Sequence, residues 1–171
     1  MAIAAAACSP DYNWRQAPAV DSRADVLLPG RPAEMSRRVE LAGHDVDMSM
    51  LGARVGEQTY TLAWVDLPDA TPQTRDQVLA AMSEGMLRNI EAHEVERSDR
   101  DVAVLDGTGA RVARQPALGI VARGGRPGPG TGMRAIFVSR DGRAWQAVAM
   151  GAPFDEEAAG VFLDSLAIRQ R

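Results

Sequence analysis

Two apolar runs, Met133–Ser139 and Ala144–Met150, flank an Asp141-Gly142 pair and lead into an acid-led segment from Asp155. No other stretch limits the fold as much. Asp-Gly between apolar runs suits a two-residue type I′ turn, because both central residues must reach positive φ. That turn fixes a register in which Val138 faces Trp145 and Ile136 faces Ala147 on one side of the sheet. Phe137, Ala135, Val148 and Met150 fall on the other side. Apolar residues on both faces require cover above and below, which predicts a central position for this hairpin. Asp155 is read as the cap of the next helix, with Glu156 and Glu157 in its first turn, where the helix dipole favours negative charge. Ala158, Phe162 and Leu166 recur at helical spacing, widened by Ala159 and Leu163, so this helix is predicted to lie across the sheet.

The chain has 171 residues, 46% of them hydrophobic and 25% charged, which fits one domain with a real core. Its formal net charge of −4 offers no field to attract nucleic acid or anionic lipid. All 19 basic residues are arginine. One cysteine, Cys8, rules out an internal disulfide, and two separated histidines rule out a zinc-finger cluster. No run of apolar residues is long enough to span a bilayer as a helix.

Residues 1–8, Met-Ala-Ile-Ala-Ala-Ala-Ala-Cys, resemble the end of a bacterial lipoprotein signal peptide. Ala6 and Ala7 match its small positions and Cys8 its lipid acceptor. Ala5 stands where leucine is usual, and no basic n-region or full apolar region precedes it, which suggests a truncated start. The alternative is an incidental free cysteine. In Gram-negative lipoproteins a residue such as Ser9 after the cysteine, rather than Asp, implies outer-membrane sorting facing the periplasm. Residues 9–23 are read as a tether, with a short strand near Trp14, and residues 24–171 as a single domain.

Within that domain, Ala24–Leu28 reads as a strand stopped by Pro29-Gly30, and Glu34–Leu41 as a polar edge strand with apolar points at Val39 and Leu41. Asp45–Val55 and Gln58–Leu67 form a hairpin through Gly56-Glu57, placing Val46, Met48 and Met50 on one face with Ala63, Val65 and Leu67. Thr71 caps a helix with Pro72 at its first position. Val78, Met82, Met86 and Ile90 form its stripe, and Gly85 costs about 1 kcal/mol relative to alanine, to be offset by packing. Glu94–Asp101 is read as a solvated connection or short strand. Val102–Leu105 is a strand, and Ala110–Ala122 a strand region interrupted by Pro116. Arg123–Gly132 is a glycine-rich loop. The predicted class is α+β: an antiparallel sheet of about six strands with helices on both faces, an α/β/α sandwich.

Leu28-Pro29-Gly30-Arg31-Pro32 closing a strand, Val65-Asp66-Leu67-Pro68 closing a hairpin before a long helix, and the terminal Phe162-Leu163-Asp164-Ser165-Leu166 are similar to the PsbP-like group. Short bacterial lipoproteins of unknown role share that pattern. The resemblance covers Ala24–Arg171 and implies an assembly or binding factor rather than an enzyme. Its motifs punctuate structure and carry no catalytic signature.

There is no Gly-x-Ser-x-Gly, and neither His44 nor His93 has a catalytic setting. The glycine-rich loop lacks a phosphate-cradle motif, has no lysine and precedes a strand, though Arg123 and Arg126 could meet an anion. Met48 and Met50 share a strand face and Met82 and Met86 a helix stripe; clustered thioethers could bind Cu(I), but four methionines on predicted core faces are what soft core packing looks like. Asp45, Asp47 and Asp66 form a second cation candidate, since Asp47 and Asp66 lie nearly opposite across strands. The expectation is a non-catalytic, lipid-anchored envelope protein without a cofactor. It would be a monomeric domain binding an envelope protein or small ligand, with no nucleic-acid partner. The alternative is a periplasmic metal-binding protein or envelope enzyme using Asp45, Asp47 or the methionines.

Overall fold

The computed structural model describes residues 12–17, 21–125 and 130–170. In chain order the elements are β1 (Arg15–Gln16), β2 (Ala24–Asp25), β3 (Leu27–Leu28), β4 (Ala33–Leu41), β5 (His44–Val55), β6 (Gln58–Asp66), α1 (Pro72–Asn89), β7 (Ala92–Leu105), β8 (Arg111–Gly124), β9 (Thr131–Arg140), β10 (Arg143–Gly151), α2 (Glu156–Asp164) and β11 (Ala167–Arg169). Asp141 and Gly142 adopt φ of +49° and +75°, as a type I′ turn demands. The register follows: Trp145 pairs with Val138 and Ala147 with Ile136.

Nine strands form one sheet in the order β2-β11-β7-β8-β9-β10-β6-β5-β4, so β9 and β10 lie at its middle. β1 and β3 make a separate two-stranded ladder. The class is α+β, but the sheet is larger than the six strands expected and is mixed, because β11 runs parallel to β7. Two strands also differ in extent from the bounds read in the sequence. Glu94–Asp101 belongs to one 14-residue strand, β7, whose exposed charged residues hide any apolar alternation. Pro116 does not interrupt β8; the β8–β9 ladder ends at Ala117↔Val138, one residue short of it. The missing N–H therefore costs no bond on that side.

Each face of the sheet is covered by one helix. Val78 and Met82 of α1 pack with Val65, Phe137 and Val148. Phe162 and Leu163 of α2 pack with Leu62, Trp145 and Ala147 on the other side. Thr71 caps α1 by accepting from the Thr74 amide, with Pro72 beginning the helix. Within the stretch expected to be a tether, residues 12–17 pack on the α2 face, where Ala17 is 1% exposed. The Ala24–Leu28 strand divides at Val26, because β2 pairs with β11 while β3 pairs with β1. Trp145, 1% exposed, donates its indole N–H to the Ser22 carbonyl at 2.6 Å and lies under the Arg23 guanidinium.

Candidate functional site

Between α1 and the β4–β5 hairpin lies a hollow of about 510 Å³. Its floor follows from two periodicities. Met48 faces α1 because β5 alternates, and Met82 and Met86 face the sheet because they lie four residues apart on the helix. All three line the hollow, together with Val39 and Leu41 of β4. Met48 and Met82 are 5% and 3% exposed, and Met86 is half-buried. Met50 packs in the same cluster without lining the hollow. The rim is charged: Arg37 and Glu40 from β4, Arg88 from the last turn of α1. A volume of this size suits a small ligand or one large side chain.

Gly85 also lines the hollow. A Cβ placed there would meet only the Arg88 side chain, at 3.9 Å. No close packing requires glycine at this position.

The acidic candidates do not converge. Asp45 and Asp47 are both exposed. Asp45 pairs across strands with Glu40 and Asp47 with Arg38. Asp66 is held bidentately by Arg143, at 2.7 and 3.0 Å, so a guanidinium already balances its charge. Among the described residues no group of three or more His, Cys, Asp or Glu side chains could hold a metal ion. His93 is exposed, and half-buried His44 starts β5 opposite Leu41. Cys8 and Arg126 lie outside the described residues; Arg123 pairs with Glu94 and Gly132 within the sheet.

One polar cluster was not visible in the sequence. The Tyr12 hydroxyl donates to Asp155 at 2.6 Å, and Tyr60 donates to Tyr12 at 3.4 Å. Asp155 also caps α2, accepting from the Ala158 amide at 2.9 Å. The donated phenol and amide hydrogen bonds hold its carboxyl below the usual carboxylate range. Burial, then the bond to Asp155, pushes the Tyr12 phenol up. Tyr12 stacks on Trp14, with centroids 5.6 Å apart, and both rings meet Tyr60 edge-on. The cluster pins residues 12–17 to the domain. The three side chains come from distant parts of the chain, so no local pattern announces them.

No protein-family model matches this chain, and no curated protein matches it. Among solved structures it is similar to PA94, a protein of unknown function from Pseudomonas aeruginosa. The identity is 10% over 83% of each chain, with a TM-score of 0.35. At that score the likeness says nothing about the hollow or its use.

Proposed function

We propose that this chain is a non-catalytic binding protein of the bacterial envelope whose binding site is the methionine-lined hollow under α1. The observation that carries the reading is that Met48, Met82, Met86 and Gly85 line one hollow together with Arg37 and Arg88. Thioether side chains are unbranched and polarizable, so they mould to apolar shapes that rigid side chains would reject. The reading places the domain in the PsbP-like group, supported by the central hairpin and a helix on each face. The nine strands exceed that expectation.

Attachment through a lipid on Cys8 is the second part of the reading and rests on the sequence pattern alone. Tyr12 is fixed to the domain and lies four residues after Cys8. At about 3.5 Å per residue an acylated Cys8 would hold the domain within about 14 Å of the bilayer surface. An intact-mass measurement on natively expressed protein should show the acyl mass; an unmodified Cys8 removes the anchor and leaves the hollow untouched.

The hollow is tested by titration with anilinonaphthalene sulfonate, an apolar anionic dye suited to an apolar floor with arginines at its rim. Saturable binding by the folded protein, lost in Gly85→Leu, is the expected result. Equal binding by Gly85→Leu, with its fold retained, would refute the site.

The copper reading is favoured by the same thioether convergence, because three methionines suit Cu(I) in an oxidising compartment. Anaerobic calorimetry with Cu(I) should then give a saturable isotherm that Met82→Leu weakens; a flat trace excludes it.

A further inference from the structure

Among the described residues, β7 has no pairing strand on the side away from β8 before Ala103. β11 pairs with β7 only at Ala103, Val104 and Leu105. From His93 to Asp101 the strand is exposed, with β8 on its other side. Such an edge is a template for another strand unless charged side chains, prolines or bulges blunt it, and charges of alternating sign can instead match a partner of the right register. This edge carries alternating charges: Glu96, Arg97, Ser98, Asp99, Arg100.

We propose that this edge pairs with the same edge of a second copy, antiparallel, on a twofold axis through Ser98. With the axis there, Arg97 faces Asp99 of the partner subunit and Glu96 faces Arg100 of the partner subunit. Symmetry doubles each pair, giving four opposite-charge contacts over the centre of the ladder. Neighbouring registers are penalised. Moving the axis to residue 97 sets Arg97 against its own copy, and moving it to residue 99 does the same for Asp99. Like charges directly opposite across strands repel. Paired residues share a face in an antiparallel ladder, so each opposite-charge pair meets on one side of the sheet.

Three further observations fit this occupant. Among the described residues Glu96, Arg97 and Asp99 take part in no ion pair, so their charges remain unpaired in a single copy. Arg100 meets Asp164 at 3.0 Å, and its five-donor guanidinium can serve a second carboxylate. β11 occupies the edge from Ala103 onward, which stops the ladder near Val95↔Asp101 and closes the assembly as a pair. The expectation from the sequence was a monomeric domain; the edge points to a dimer.

Analytical ultracentrifugation over a concentration series tests the inference. The wild-type chain should dimerise, more weakly at high salt, because the central pairs are exposed. Arg97→Glu or Asp99→Arg alone should weaken the dimer by at least about tenfold, since each turns two attractive pairs into repulsive ones. The double variant Arg97→Glu/Asp99→Arg should recover it. Hydrogen exchange on the wild type needs no substitution: amides within 95–101 should slow as concentration rises. A chain that stays monomeric at every concentration overturns the proposal. So does a dimer as tight in the single variants as in the wild type, or exchange in 95–101 that ignores concentration.

Discussion

The two faces of the sheet are built from different materials. On the α2 face the cluster contains Tyr60, Trp145 and Phe162, joined by Tyr12, Trp14, Trp64 and Phe154. Phe137 is the one aromatic residue on the α1 face. That face instead holds Met48, Met82 and Met133, with Met50, Met86 and Met150 against them, and Met35 opposite Met50 at its edge. Aromatic rings have few rotamers and bury large rigid areas; methionine has three rotatable side-chain bonds and fills irregular space. One face therefore fixes the fold, clamping residues 12–17 and α2 to the sheet. The other can accept a shape it does not itself supply.

Substitutions on the two faces should differ accordingly. The largest effect belongs to Trp145→Ala, which empties the centre of the aromatic face and removes the indole hydrogen bond to the Ser22 carbonyl. About 3–5 kcal/mol should be lost in chemical denaturation, and a loss below about 1 kcal/mol would deny that this face sets stability.

Asp155→Ala comes next, at about 2 kcal/mol near neutral pH, from the lost α2 cap and the lost phenol hydrogen bond. This contribution depends on pH in a fixed direction. The Asp155 pKa is lower folded than unfolded, so its stabilisation is complete above the unfolded value, about 3.9. It disappears as pH falls through the folded value. The gap between wild type and variant should therefore close in acid, and a gap unchanged between neutral and strongly acidic pH would contradict the Tyr12–Asp155 contact.

On the α1 face Gly85→Ala should raise stability by about 1 kcal/mol, because the helix gains an alanine whose Cβ meets only the flexible Arg88 side chain, at 3.9 Å. Met82→Leu should cost less than about 1.5 kcal/mol while changing dye affinity, since a volume-conserving swap removes adaptability more than packing. The smallest effect is expected from Met35→Ser: this residue is 59% exposed, and its melting temperature should stay within the equivalent of about 0.5 kcal/mol.

What could be read from the sequence divides along similar lines. The central hairpin was legible because Asp141-Gly142 dictates its turn locally and the apolar alternation dictates its faces. The helix from Pro72 was legible from Thr71 and the four-residue spacing of Val78, Met82 and Met86. Half of the hollow came with them, as Met48 and Met82 lie on faces that periodicity predicts. The rim did not, because Arg37 and Arg88 sit on separate elements whose approach depends on the packing of α1 over β4 and β5. β7 was hidden by its charges, and β11 by its length of three residues. The sequence shows Gly85 as a helix-destabilising residue, and only the structure shows that a side chain there would meet nothing nearer than Arg88.

The division of labour between the faces is tested most directly by the methyl spectrum of protein labelled with ¹³C-methyl methionine, recorded during titration with anilinonaphthalene sulfonate. The Met48, Met82 and Met86 signals should move together and saturate, while Met133, 0% exposed elsewhere in the same cluster, stays in place. The Gly85→Leu variant should show no movement. Shifts spread over all methionines, or confined to residues outside the hollow, would contradict a binding face under α1.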